Sequence, residues 1–95
     1  MQGFLALVEW RVKYSNRILS DSLKLKRCGL KEKAQKLIEI ITNNPYKTPP
    51  HFEKLAGFEN IYSRRINIRH RLVYQIFKDE MTIKIISLWG HYDNN

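Results

Sequence analysis

The chain has little cysteine, little histidine and no long apolar run. Cys28 is its only cysteine, so an internal disulfide is excluded and a reducing compartment is expected. Its three histidines, His51, His70 and His91, lack zinc-ligand spacing, and we predict neither a metal nor a cofactor. No segment approaches the ~20 apolar residues of a membrane span, and the opening MQGFLALVEWR lacks a basic leader and a small-residue cleavage site. We therefore expect a soluble cytoplasmic protein without membrane contact.

Acidic residues are also scarce, with nine Asp and Glu against 17 Lys and Arg, for a formal charge of +8. A length of 95 residues at 43% hydrophobic predicts one globular domain, residues 1–95, with a thin core. The positive excess suits a partner that carries phosphates or an acidic protein. The basic stretch between Lys24 and Lys36 is more typical of solvated helix faces than of a binding surface. Arginines inside strands are harder to explain in that way.

Apolar periodicity predicts the order β-α-α-β-β-β. An apolar run at residues 4–10 indicates a buried strand, and helical spacing indicates a first helix at residues 12–26 that ends near Gly29. A second helix begins at Lys31 and ends at Asn43-Asn44-Pro45. A proline-rich connection then leads to three strands, at residues 61–66, 71–77 and 82–89, whose short loops predict an antiparallel meander.

Alternation within the middle strand indicates which way its arginine points. Leu72, Tyr74 and Ile76 share one parity, so helices that cover them leave Arg71 on the opposite face. The predicted fold class is α+β: a small, antiparallel-rich curved sheet with two N-terminal helices packed on one face. Cations on the helix-free face would suit RNA.

Four residues could together cleave RNA. Transesterification needs a base for the 2′-hydroxyl, an acid for the leaving 5′ oxygen and a cation on the phosphoryl oxygens. Glu53 on a loop, Arg71 at the start of the middle strand, and His91 with Tyr92 after the last strand offer these groups. Each also has an ordinary structural interpretation: a surface carboxylate, a strand-edge charge, a solvated imidazole and an aromatic cap. Only their combination favours a catalytic site.

Five short motifs of the sequence form a recognisable combination: NPY at residues 44–46, PPHFEKLAG at 49–57, YSRRIN at 62–67, HRLVYQI at 70–76 and WGHY at 89–92. With these motifs the chain resembles the YoeB/Txe family of bacterial toxins, within the RelE-like superfamily. The resemblance implies the toxin of a type II toxin–antitoxin pair that cleaves messenger RNA in the ribosomal A site. Carried over by residue, it implies Glu53 as general base, Arg71 as phosphate-stabilising arginine, His91 as general acid and Tyr92 as a tyrosine that shapes the site.

The resemblance also implies cations that bind the RNA backbone, namely Lys54, Arg64 and Arg65, with Arg65 the stronger candidate of the arginine pair. The sequence departs from the family pattern at two positions: Ala56 stands where members commonly carry lysine, and Gly90 precedes His91 where a larger residue is common.

The implied partners are a cognate acidic antitoxin (YefM/Axe-like), the ribosome and messenger RNA, and a homodimer is left open. Two other interpretations also remain open: a non-catalytic basic binding module, and a toxin of the same fold that acts on another target such as a topoisomerase.

Overall fold

The computed structural model describes residues 10–90, which form two helices over a five-stranded sheet. The strands are β1 (Arg11–Tyr14), β2 (Glu53–Lys54), β3 (Ile61–Arg65), β4 (Arg71–Phe77) and β5 (Thr82–Gly90), and the helices are α1 (Ile18–Arg27) and α2 (Lys31–Asn43). The spatial order is β1-β5-β4-β3-β2. Among these five strands of residues 10–90, β1 and β5 pair in parallel and the other adjacent pairs are antiparallel. The predicted α+β class, with an antiparallel-rich sheet, is confirmed.

The beginning of the chain differs from the prediction. The strand predicted at residues 4–10 lies outside the described residues, apart from Trp10. The helix predicted to begin at Val12 is wrong over residues 12–17, because residues 11–14 form β1, in register with Thr82–Ile85 of β5, and α1 begins at Ile18. Ser15 ends this strand by donating its N–H to the carbonyl of Ile85 and its hydroxyl to that of Ile86, and α1 then starts at Ile18. A long-range pairing with β5 therefore overrides the local helical spacing.

The turn between the two helices is set by Gly29. Its φ of +71° is the left-handed conformation, and its N–H donates to the carbonyl of Lys26 while the Leu30 N–H donates to that of Leu25. These two bonds are a Schellman motif, which closes the C-terminus of α1. The predicted stop near Gly29 and the second helix from Lys31 to Asn43 are confirmed. Within residues 10–90, neither helix is long and apolar enough to cross a membrane.

The core lies between the helices and one face of the sheet. Leu25, Ala34, Leu37 and Ile41 from the helices pack in one buried cluster with residues of β4 and β5: Leu72, Tyr74, Ile76, Ile83, Ile85 and Leu88. The predicted alternation of β4 is therefore confirmed at Leu72, Tyr74 and Ile76.

The predicted meander is present, with small changes at its ends. Strand β3 stops at Arg65 and β5 continues to Gly90, while a 3₁₀ turn at Lys78–Glu80 joins β4 to β5. Glu53 was expected on a loop, but it lies in the two-residue strand β2, which pairs with β3 at the edge of the sheet.

Candidate active site

The strand register determines which charged residues share a face. Glu53 pairs with Ser63, and Ser63 pairs with Val73, so these residues form one cross-strand row. Two residues further along the strands, the next row on the same face contains Arg65 and Arg71, which pair with each other. Directly paired residues, and residues two apart in a strand, point to the same side of a sheet. Because Leu72 and Tyr74, of the opposite parity in β4, pack under the helices, both rows lie on the helix-free face.

Glu53 and Arg71 are in direct contact. The Nη1 atom of Arg71 donates to Oε1 of Glu53 at 3.0 Å, although the two residues are 18 positions apart. The Arg71 side chain is 10% exposed, whereas that of Glu53 is 50% exposed. A largely desolvated guanidinium thus lies beside a carboxylate that solvent can reach. The juxtaposition predicted for these two residues is present in the structure.

Ser63 is a site residue that the sequence prediction missed. Its side chain is fully buried, and its Oγ accepts a second hydrogen bond from Arg71 Nη1 at 3.2 Å. The two acceptors, one on β2 and one on β3, fix the direction of the guanidinium from β4. Strand alternation could have identified Ser63, since residues two apart in a strand share a face and Ser63 is two residues from Arg65. His51 approaches the other carboxylate oxygen of Glu53, with Nε2 3.9 Å from Oε2, beyond hydrogen-bond distance.

Arg64 lies on the opposite face, where it has a structural role. It is 1% exposed, and it donates from Nε to the Tyr74 hydroxyl at 2.9 Å, from Nη1 to the Pro50 carbonyl at 2.8 Å and from Nη2 to the Pro45 carbonyl at 3.1 Å. The Phe52 ring lies 4.8 Å from the guanidinium carbon. This guanidinium therefore holds the proline-rich connection against β4 and is not open to RNA.

Tyr74 belongs to this buried network. Burial raises the pKa of its hydroxyl above the ordinary value of 10.0, and the hydrogen bond and charge of Arg64 offset part of that increase. The phenol is therefore neutral at physiological pH and accepts from Arg64.

The other two predicted RNA-binding cations are exposed, but they point to different sides. Arg65, at the end of β3, shares the helix-free face with its partner Arg71. Lys54 pairs with Tyr62, whose ring stacks on that of Tyr74 in the core, so alternation places Lys54 on the face opposite Glu53. Of these two, only Arg65 extends the cationic surface beside Arg71.

His91 and Tyr92 lie outside the described residues. The last described residue, Gly90, is the register partner of Arg71, which fixes where β5 ends relative to the site. A buried carboxylate holds this end of β5: Asp21 of α1 is 2% exposed and accepts from the Leu88 N–H at 3.0 Å and the Ser87 hydroxyl at 3.3 Å. Asp21 was not predicted, because a single Asp within a helical pattern gives no sign that it bonds to a strand 66 positions away.

The whole described region thus presents a small mixed sheet with a carboxylate–guanidinium pair on its open face. A family model for the YoeB-like toxin of bacterial type II toxin–antitoxin systems matches residues 12–92. The chain therefore belongs to the YoeB-like toxin family, and it is the toxin of a type II toxin–antitoxin system. The resemblance inferred from the sequence motifs is confirmed.

Solved structures agree with this assignment. The chain is similar to a YoeB dimer from Staphylococcus aureus, with 30% identity, a TM-score of 0.74 and coverage of 90% of this chain and 100% of that one. A YoeB/ParE toxin from Agrobacterium tumefaciens is 25% identical, with a TM-score of 0.75 and coverage of 86% and 99%. A chain of the archaeal RelE–RelB complex from Pyrococcus horikoshii shares the fold, with 20% identity, a TM-score of 0.72 and coverage of 87% of this chain and 96% of that one. A comparison with curated protein sequences gave no match.

Proposed function

We propose that this toxin is a ribosome-dependent endoribonuclease that cleaves messenger RNA in the A site. The observation that carries the proposal is the 3.0 Å contact between Glu53 and Arg71 on the helix-free face. It supplies two of the three groups that metal-independent transesterification requires, a base and a fixed cation, within one hydrogen bond of each other.

In the proposed reaction, the Glu53 carboxylate takes the proton of the 2′-hydroxyl, and the 2′ oxygen attacks the adjacent phosphorus. Arg71 stabilises the charge on the phosphoryl oxygens, since its guanidinium has five N–H donors and the contacts to Glu53 and Ser63 use only Nη1. The bond from phosphorus to the 5′ oxygen breaks, and His91 donates the proton that this oxygen takes. The products are a 2′,3′-cyclic phosphate and a 5′-hydroxyl. Tyr92 shapes the site in this scheme.

The cations have separate roles. Arg65 contacts the RNA backbone beside the reacting phosphate, because it is exposed on the same face as Arg71. Lys54 contacts RNA that passes around the β2 edge of the sheet, and Arg64 holds the fold. Because the chemical groups are few, the ribosome supplies much of the acceleration by orienting the message, and free RNA is a poor substrate.

The proposed partners are an acidic antitoxin and a second copy of the chain. A staphylococcal relative, 29% identical over 90% of this chain, forms a YoeB–YefM complex, and a YoeB from the same organism is a dimer. The +8 charge of this chain favours an acidic inhibitor that covers the basic face.

Mapping the 5′ ends of messages after a brief pulse of expression tests the activity. We expect cuts that keep a fixed phase to the reading frame and that leave 5′-hydroxyl ends. Glu53→Gln and His91→Gln should each reduce cutting by about 100-fold or more, since one acid or base contributes ~10²–10⁴-fold. Glu59→Gln is the matched control, because Glu59 is an exposed carboxylate in the turn before β3.

Three results would each overturn part of the proposal. Unchanged cutting in both Glu53→Gln and His91→Gln would show that neither residue is catalytic. Growth arrest that persists in both variants without any cutting would leave a non-catalytic binding module or a toxin with another target. Cuts without any phase to the reading frame, together with rapid cleavage of naked message, would remove the dependence on the ribosome.

A further inference from the structure

A second basic surface lies outside the Glu53–Arg71 site, in a cleft between α2 and the turn that follows β3. The cleft has a volume of about 530 Å³. Lys33 and Lys36 of α2 line one side, and Arg65 lines the other. Within residues 10–90, no carboxylate lines it. We name this surface the α2 cleft.

The two lysines of α2 that line the cleft have different neighbours. At ~100° per residue, Lys33 lies about 40° from Leu37, on the side that faces the α2 cleft. Lys36 lies between Lys33 and Glu32 around the helix axis, and it also lines a neighbouring depression with Glu32 and Glu39. Lys33 is therefore directed into the cleft, and Lys36 lies at the boundary between the cleft and two carboxylates.

We propose that the α2 cleft binds the backbone of the same single-stranded RNA, outside the scissile phosphate. This inference rests on the proposed function. Arg65 connects the two surfaces, because it lines the cleft and is also the register partner of Arg71. Lys33 and Lys36 are one helical turn apart, with ~5–6 Å between their Cβ atoms, a spacing comparable to that of successive phosphates. The apolar wall, which includes the largely exposed Ile68, gives bases a surface to lie on.

The salt dependence of RNA binding tests the cleft. The probe is a 2′-O-methylated RNA of about 12 nucleotides, which cannot be cleaved and falls within the ~4–16 nucleotides that single-strand sites occupy. The variant Lys33→Ala/Lys36→Ala should lower the slope of log K against log salt by about 1.4, since each phosphate contact contributes about 0.7 for single strands. Between about 50 and 200 mM salt, wild type should lose about 7-fold more affinity than the variant.

The matched control is Lys26→Ala/Arg27→Ala. It removes the same charge from two exposed residues in the last turn of α1, which do not line the cleft and lie on the helix side of the sheet, and it should leave the slope close to that of wild type. Equal slopes in wild type and the cleft variant would overturn the proposal. So would a cleft variant that binds RNA normally but loses affinity for polyglutamate, since the cleft would then take an acidic peptide. These results are distinct from failure of the nuclease proposal, which is tested by the cutting activity of Glu53→Gln and His91→Gln and by the phase of the cuts.

Discussion

The two neighbouring arginines on β3 should respond differently to the same substitution: loss of Arg64 should lower stability, and loss of Arg65 should weaken RNA binding. Arg64 is buried with three hydrogen bonds, whereas Arg65 is exposed. Three bonds from a charged donor at ~1.5–3 kcal/mol each would sum to about 5–9 kcal/mol if they were independent. They share one desolvated guanidinium, so the expected cost of Arg64→Met is that of breaking a buried charged network, about 3–5 kcal/mol.

That cost is large for a chain of this size. At ~0.05–0.15 kcal/mol per residue, the total free energy of unfolding is about 5–14 kcal/mol. Arg65→Met should change it by no more than about 0.5 kcal/mol, as expected for a surface substitution. Arg64→Lys should recover little, because an ammonium group cannot reproduce the planar fork that reaches the Tyr74 hydroxyl and two carbonyls.

Urea unfolding followed by tryptophan fluorescence measures both effects, since Trp10 immediately precedes β1 and Trp89 lies in β5. With a slope near 1.5 kcal/mol per molar urea, the midpoint of Arg64→Met should fall by about 2–3 M. Binding of the uncleavable RNA should weaken in Arg65→Met instead. If Arg64→Met unfolds within about 0.5 kcal/mol of wild type and binds RNA less well, Arg64 is a substrate contact and the structural role is refuted.

Three further predictions concern the fold around the site. Asp21→Ala should destabilise the protein by about 1–3 kcal/mol, because it leaves the buried Leu88 N–H without its acceptor; thermal unfolding measures this, and Asp21→Asn should cost less. The raised pKa of Tyr74 means that the unfolded phenol ionises first, so stability is full below about pH 10 and falls as pH rises above it. Urea midpoints across that range should fall less steeply in Tyr74→Phe, and equal slopes would refute the assignment. Gly29→Ala should cost about 1 kcal/mol through its positive φ alone, because no atom lies within 4 Å of an added Cβ, and Gly29→Asn should cost less.

Much of the fold could be predicted from local patterns. Helix α2, with its apolar residues at helical spacing, and strand β4, with Leu72 and Tyr74 on one parity, were found at the correct positions because the spacing alone identifies them. Strand β1 could not be found in this way. It is four residues long and is defined by its pairing with β5, more than 70 positions away.

The site was predicted unevenly for a related reason. The contact between Glu53 and Arg71 was expected because RNA cleavage needs both groups at one phosphate, and the structure contains it. The assignment of Arg64 to RNA came from the family motifs, although alternation with Tyr62 and Ile66 gives that position the parity of the core. A motif identifies which residues matter, but only the register tells on which side of the sheet each acts.

The opposite orientations of Arg64 and Arg65 limit how the gene for this toxin can change in length. Loss or gain of one codon within β3 would shift the residues on one side of the change to the opposite face, so that either Ile66 leaves the core or Ser63 leaves Arg71. Loss or gain of two codons would preserve the sidedness of the strand. Insertions and deletions tolerated in this segment should therefore come in even numbers of codons.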